Sequence, residues 1–141
     1  MHTSILDRAA MRPISAEEYM RAKLDYEMTP TALNMSMGRG SEKLLVIDVR
    51  DKASYEKEHI PGAVNVPEHD IRHRAAGLPK EKTLVTYSWD MTCTLAPEAT
   101  MKLAGLGFKV HLLAGGLEEW KRRDLPLEKK ASARRGAAAR D

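Results

Sequence analysis

Strand-length segments recurring between helix-like stretches constrain this chain more than any other feature. The clearest is Leu44-Leu45-Val46-Ile47-Asp48, an almost continuous apolar run. A run with no polar face needs cover on both sides, as a strand inside a parallel sheet has. Thr83-Leu84-Val85-Thr86-Tyr87 and Lys109-Val110-His111-Leu112-Leu113 read as further strands, and Ala63-Val64-Asn65-Val66 as a shorter one after the turn at Pro61-Gly62. Helical signals separate them. Ser15-Ala16-Glu17-Glu18 is a capping box opening a helix over about 16–27, with Tyr19, Ala22, Lys23 and Tyr26 at helical spacing. Thr29-Pro30 opens a second piece, which Gly38 and Gly40 end. Asp51 caps a helix holding Ala53, Tyr55 and Lys57, and Pro67 opens one from Glu68 to Arg74. Ala96, Ala99, Thr100 and Leu103 make one buried helix face, stopped at Gly105 and Gly107. Leu117, Trp120 and Lys121 sit on a closing helix, and Pro126 ends the folded part. Strands alternating with helices predict an α/β fold with right-handed crossovers and helices on both faces of a parallel sheet. Sites in such sheets form outside the carboxyl ends of the strands. Tyr87 to Cys93 lies at such an end.

Composition narrows the function classes. With 141 residues, 43% of them hydrophobic, the chain suits one domain with its own core. We expect an N-terminal extension over 1–13, the domain over 14–127 and a basic flexible tail over 128–141. The net charge of +3 is a weak case for nucleic acid. Its excess gathers in Lys129, Lys130, Arg134, Arg135 and Arg140, against Asp141 alone. No aromatic residue interleaves with these charges, so base stacking is unsupported and a solvated tail is expected. The single cysteine, Cys93, excludes an internal disulfide and a zinc site built on several thiolates. It suits a reducing compartment. Met1 to Arg8 lacks the apolar run of a secretory signal. No stretch approaches the roughly 20 apolar residues of a membrane helix. The reading is a soluble cytoplasmic protein with no membrane or nucleic-acid partner. His69, His73 and His111 share no ligand spacing, so neither a metal nor a cofactor is expected.

Three motifs add a resemblance. Asp48-Val49-Arg50, then His59-Ile60-Pro61-Gly62-Ala63, then Gly115-Gly116 with Trp120, in that order and spacing, resemble the rhodanese homology domain, a sulfurtransferase family. The resemblance covers roughly residues 14 to 127. It implies a single domain with about five parallel strands, a small sulfur donor such as thiosulfate or a persulfide, and a catalytic loop starting directly after the strand that ends at Tyr87. In that family a cysteine opens the loop, its backbone amides point inward to hold a thiolate and then a persulfide, and an arginine helps to hold thiosulfate. Asp48 and Arg50 read as a supporting polar pair rather than catalysts. His59 reads as a turn residue with its ring hydrogen-bonded.

The loop Ser88-Trp89-Asp90-Met91-Thr92-Cys93-Thr94 departs from the family pattern. Ser88 stands where the cysteine is expected. No Lys or Arg lies between Ser88 and Glu98, and Asp90 adds a negative charge. The loop is similar to that of a bacterial subgroup with cysteines at both ends of a longer loop; Ser88 stands at the first and Cys93 at the second. A serine hydroxyl stays protonated near neutral pH without a base and forms no stable persulfide, so Ser88 reads as a hydroxyl bonded into the loop. Cys93 is the one candidate sulfur carrier. Just ahead of a helix N-terminus it would be activated; buried, it would behave as a small apolar residue. Trp89 and Met91 are expected to close the loop over the core, or else to line a pocket or contact surface. Two functions are compatible with these residues. One is sulfur transfer through Cys93, with ordinary thiosulfate activity weak or lost. The other is a non-catalytic module whose loop cleft binds a protein partner or a small anion. A phosphatase, which some related folds carry, would need an arginine after the cysteine, and Thr94 to Ala99 contain none.

Overall fold

The computed structural model describes residues 4–11 and 13–130. Five strands make one sheet: β1 (Glu27–Met28), β2 (Leu44–Asp48), β4 (Val64–Asn65), β5 (Thr83–Tyr87) and β6 (Lys109–Leu113). A further pair, β3 (Glu58–His59) and β7 (Glu128–Lys129), is antiparallel. The five run parallel in the order β1-β6-β5-β2-β4. The apolar runs are the three central strands. Among the described residues, seven helices connect and cover them: α1 (Ile5–Met11), α2 (Ala16–Tyr26), α3 (Pro30–Gly40), α4 (Lys52–Lys57), α5 (Ile71–Arg74), α6 (Leu95–Gly105) and α7 (Gly116–Arg122).

Alternation along the strands splits the core in two. Ile47 and Leu84 face one side, with Ala96, Ala99 and Leu103 of α6 and Ile71 of α5. Val46, Val85 and Tyr87 face the other, with Leu33 of α3 and Leu117 and Trp120 of α7. Both faces of the sheet are thus buried, which is why Leu44–Asp48 has no polar stripe. The predicted caps form. Ser15 accepts from the Glu18 amide while Glu18 reaches back to the Ser15 amide, and Asp51 accepts from the Ser54 amide.

Two local expectations are corrected, and one stretch left without assigned structure is placed. Glu68–Asp70 is a 3₁₀ turn, and only Ile71–Arg74 is α-helical, because the chain from Pro67 winds tightly before the helix starts. Residues 5–11, read as part of an extension, form α1. The folded part does not stop at Pro126. Glu128–Lys129 pair with Glu58–His59, and Glu128 accepts from the Gly62 amide while its carboxylate faces His59 Nε2 at 3.0 Å. The basic stretch therefore begins inside the fold; its residues 131–141 lie outside the described residues. Among the described residues, no helix is long and apolar enough to cross a membrane.

The strand register places two polar side chains together. Asp48 of β2 lies beside Tyr87 of β5 at the carboxyl edge of the sheet. The chain leaves that edge at Ser88.

Candidate functional site

The base of the site is a buried polar network. Asp48 and Arg50 are fully buried. Asp48 Oδ1 accepts from the Arg50 backbone amide at 2.9 Å and from Nε at 3.0 Å; Oδ2 accepts from Nη2 at 2.7 Å. Tyr87 Oη donates to Asp48 Oδ2 at 2.6 Å and accepts from the Ile60 amide at 3.1 Å. Arg50 Nη2 also donates to the Glu58 carbonyl. Burial works against the Arg50 charge, but the hydrogen bonds and charge of Asp48 outweigh it and raise the Arg50 pKa. Burial, then the Asp48 carboxylate, pushes the Tyr87 phenol well above its usual range. The network ties the end of β2, the end of β5 and the turn at Ile60 into one unit. Asp48 and Arg50 act on one another here. Tyr87 is the member that sequence reasoning missed. Its signal was a phenol at the end of a buried strand, where the hydroxyl must find a partner.

The loop rises from that base. Ser88 is 2% exposed. Its Oγ lies 3.1 Å from Cys93 Sγ, so the two ends of the loop meet side chain to side chain. Cys93 is a free, half-buried thiol. Thr94 is the residue before α6, so Cys93 sits one residue ahead of that cap. The amides of the first helical turn have no carbonyl partner within the helix.

Gly115 and Gly116 explain the shape of the loop. Both have positive φ, at 80° and 62°. A Cβ on Gly116 would lie 2.8 Å from the Ser88 carbonyl oxygen and 2.8 Å from the Asp90 nitrogen, a clash with backbone on both sides. This close approach lets α7 reach the loop. The Leu117 amide donates to the Ser88 carbonyl at 2.9 Å, and the Glu118 amide to the Trp89 carbonyl at 2.8 Å. In a trans peptide the carbonyl and the following N–H point oppositely. The Trp89 and Asp90 amides therefore face away from α7.

The expectation that amides from Trp89 to Thr94 all stand ready for an anion is corrected at two of them. Asp90 Oδ1 accepts from the Thr92 amide at 3.0 Å, from Thr92 Oγ1 at 2.9 Å and from the Cys93 amide at 3.1 Å. The loop's own carboxylate takes the place of an outside anion there. Those bonds to Thr92 and Cys93 hold the Asp90 pKa below the usual carboxylate range.

Met91 takes the second of its two expected places: it is 83% exposed, so it closes nothing over the core, and it lines the cavity beside Cys93. Trp89 is 44% exposed, and its ring lies over the Arg50 guanidinium, 4.5 Å from Cζ to the ring centroid. Arg50 thus reaches the loop through Trp89. His59 is bonded as predicted, with Nδ1 2.7 Å from the Tyr55 carbonyl.

Cys93 and Ser88 open into a cavity of about 520 Å³. Asp90 and Met91 of the loop line it too, and its other walls come from α2, β1, the start of α3, the start of α6, the end of β6 and α7. Among the described residues, no three of His, Cys, Asp and Glu gather as a metal site requires.

Known proteins resemble this chain in sequence and fold. Residues 29–123 match the model of the rhodanese-like domain. An HTH-type transcriptional regulator of Mycobacterium tuberculosis is 32% identical over 98 residues, 70% of this chain and 43% of that protein. This chain thus spans less than half the length of that relative. The thiosulfate sulfurtransferase GlpE of Coxiella burnetii is 33% identical over 79 residues, 55% of this chain and 72% of that protein. A crystal structure of a Bacillus halodurans protein superposes with a TM-score of 0.75 at 32% identity, covering 90% of this chain and 99% of that one.

Proposed function

The chain belongs to the rhodanese-like domain family, and from that premise we propose that it transfers sulfane sulfur through Cys93, with ordinary thiosulfate activity weak or lost. One observation carries the reading. Cys93 Sγ lies 3.1 Å from Ser88 Oγ, the atom standing where the family resemblance puts the catalytic sulfur. A thiol five residues along the chain has come back to within one hydrogen bond of the usual position.

The reaction is a sulfur exchange. The Cys93 thiolate attacks the outer sulfur of a donor, a bond forms from Sγ to that sulfur, and the donor's S–S bond breaks. The donor leaves reduced, as a thiol or as sulfite, and Cys93 is oxidised to a persulfide. An acceptor thiolate or cyanide then attacks the outer sulfur and frees Cys93. The Ser88 hydroxyl is within reach to donate to the sulfur anion at both stages. The positive end of α6 favours negative charge on Cys93. Among the described residues no histidine or carboxylate bonds to the Ser88 hydroxyl, whose side-chain partner is Cys93, so its own attack on a donor is not part of the reading.

A second reading keeps the fold and drops the turnover: the loop surface binds a protein partner. Trp89 and Met91 favour it, since both expose apolar surface on the loop. The two readings separate in one assay of sulfur delivery to a thiol acceptor, run on wild type, Cys93→Ala and Ser88→Cys. Turnover in wild type that vanishes in Cys93→Ala supports transfer. Turnover equal in the two proteins would sink the Cys93 assignment, and no turnover in wild type with recovery in Ser88→Cys would support the binding module.

A further inference from the structure

The cavity beside Cys93 has an unusual charge balance for a site that takes sulfur from small anions. Its wall carries two cations, Lys23 and Arg123, and three carboxylates, Glu27, Asp90 and Glu119. Neither cation is free. Lys23 Nζ lies 2.7 Å from Glu27 Oε1, and Arg123 Nε lies 3.0 Å from Glu119 Oε2. The third carboxylate, Asp90, has no cation partner among the described residues. Asp90 Oδ1 holds the Cys93 amide itself, together with the Thr92 amide.

An anionic donor meets two obstacles here. The two amides already hold a negative charge, so the donor must displace Asp90 or do without them. Like charge at close range opposes its approach, more strongly in a cleft than in open water. A donor whose organic part is neutral or cationic meets neither. The cavity also has room for an organic group. A volume of about 520 Å³ lies within the range of sites that hold small organic ligands, so a small inorganic anion would leave most of it unfilled.

We infer that the donor for Cys93 is an organic persulfide with no negative charge on its organic part, rather than thiosulfate or an anionic persulfide. The inference rests on the Cys93 reading and narrows its substrate. The step balances as Cys93–S⁻ + R–S–SH → Cys93–S–S⁻ + R–SH. The Sγ–S bond forms, the R–S–S bond breaks, and the persulfide proton ends on the departing thiol. Cys93 is oxidised and the donor is reduced.

The test follows sulfur loading by intact mass with three donors: thiosulfate, glutathione persulfide, whose organic part is anionic, and cysteamine persulfide, whose organic part is cationic. Each rate is divided by that of the same donor with a free small thiol, which removes intrinsic reactivity. Wild type, Cys93→Ala and Asp90→Asn are compared. Asparagine keeps an oxygen for the two amides and removes the charge. The expected result is at least tenfold faster normalised loading from cysteamine persulfide than from either anionic donor, a gap that narrows in Asp90→Asn and in high salt. Equal or faster normalised loading from thiosulfate or glutathione persulfide, with loading still lost in Cys93→Ala, would overturn the donor class alone. Loading retained in Cys93→Ala, or absent from wild type with every donor, would overturn the Cys93 reading and the inference with it.

Discussion

The two halves of the site are built on opposite principles. The base, Asp48, Arg50 and Tyr87, is buried and bonded across the fold; Tyr87 and Asp48 are 39 residues apart in the chain. The loop, Trp89 to Cys93, is largely exposed, and apart from the Glu118 amide on the Trp89 carbonyl its hydrogen bonds are local; Asp90 reaches only two and three residues ahead. Bonds that span distant segments open only with the whole domain, whereas local ones open alone. The residues of such a loop can therefore vary while the base keeps the fold intact.

Breaking the base gives the largest effect. Asp48→Ala leaves the Arg50 guanidinium buried without its partner and is expected to cost about 3–5 kcal/mol, read as a lowered urea midpoint. Asp90→Ala in the same experiment shifts the midpoint far less. A similar loss in both variants would mean that loop and base are one cooperative unit and the contrast is false.

Tyr87→Phe comes next. It keeps the ring and removes one donor to Asp48 and one acceptor for the Ile60 amide. Both partners stay buried, so the expected cost is about 1–3 kcal/mol.

Trp89→Ala tests the joint between the halves. The ring covers Arg50, whose Nη1 has no hydrogen-bond partner among the described residues. Losing a cation–π contact of this kind is expected to cost about 0.5–2 kcal/mol. Thermal melting would measure it. No change at all would show that the base does not feel the loop.

The smallest effect is in acid. The folded Asp90 pKa is depressed by its bonds to Thr92 and Cys93. Its contribution is therefore present above the unfolded carboxylate value of about 3.9 and is lost as pH falls through the lower folded value. The amide signals of Thr92 and Cys93 should move together below about pH 4, with those of Leu84 to Thr86 unmoved. In Asp90→Asn this transition should vanish.

The strands and the three motifs were legible because they rest on local facts. A strand covered on both faces must be apolar throughout, and Gly115-Gly116 carries positive φ that other residues avoid. What escaped the sequence depends on contacts between distant segments or on loop conformation. The β3–β7 pair joins residues some seventy positions apart, and nothing near Glu128 announces it. Asp90 folding onto the Thr92 and Cys93 amides needs the loop shape that α7 imposes. The approach of Cys93 to Ser88 needs both loop ends in place. Met91 is apolar by type, yet it lines the open cavity beside Cys93 rather than the core.

The most direct test of the central claim is to treat the full chain with cysteamine persulfide, weigh it intact, and locate any added sulfur by peptide mapping. The account predicts a gain of one sulfur atom, found on the peptide containing Cys93 and absent from Cys93→Ala. An unmodified Cys93 in protein that still passes sulfur to an acceptor would contradict it.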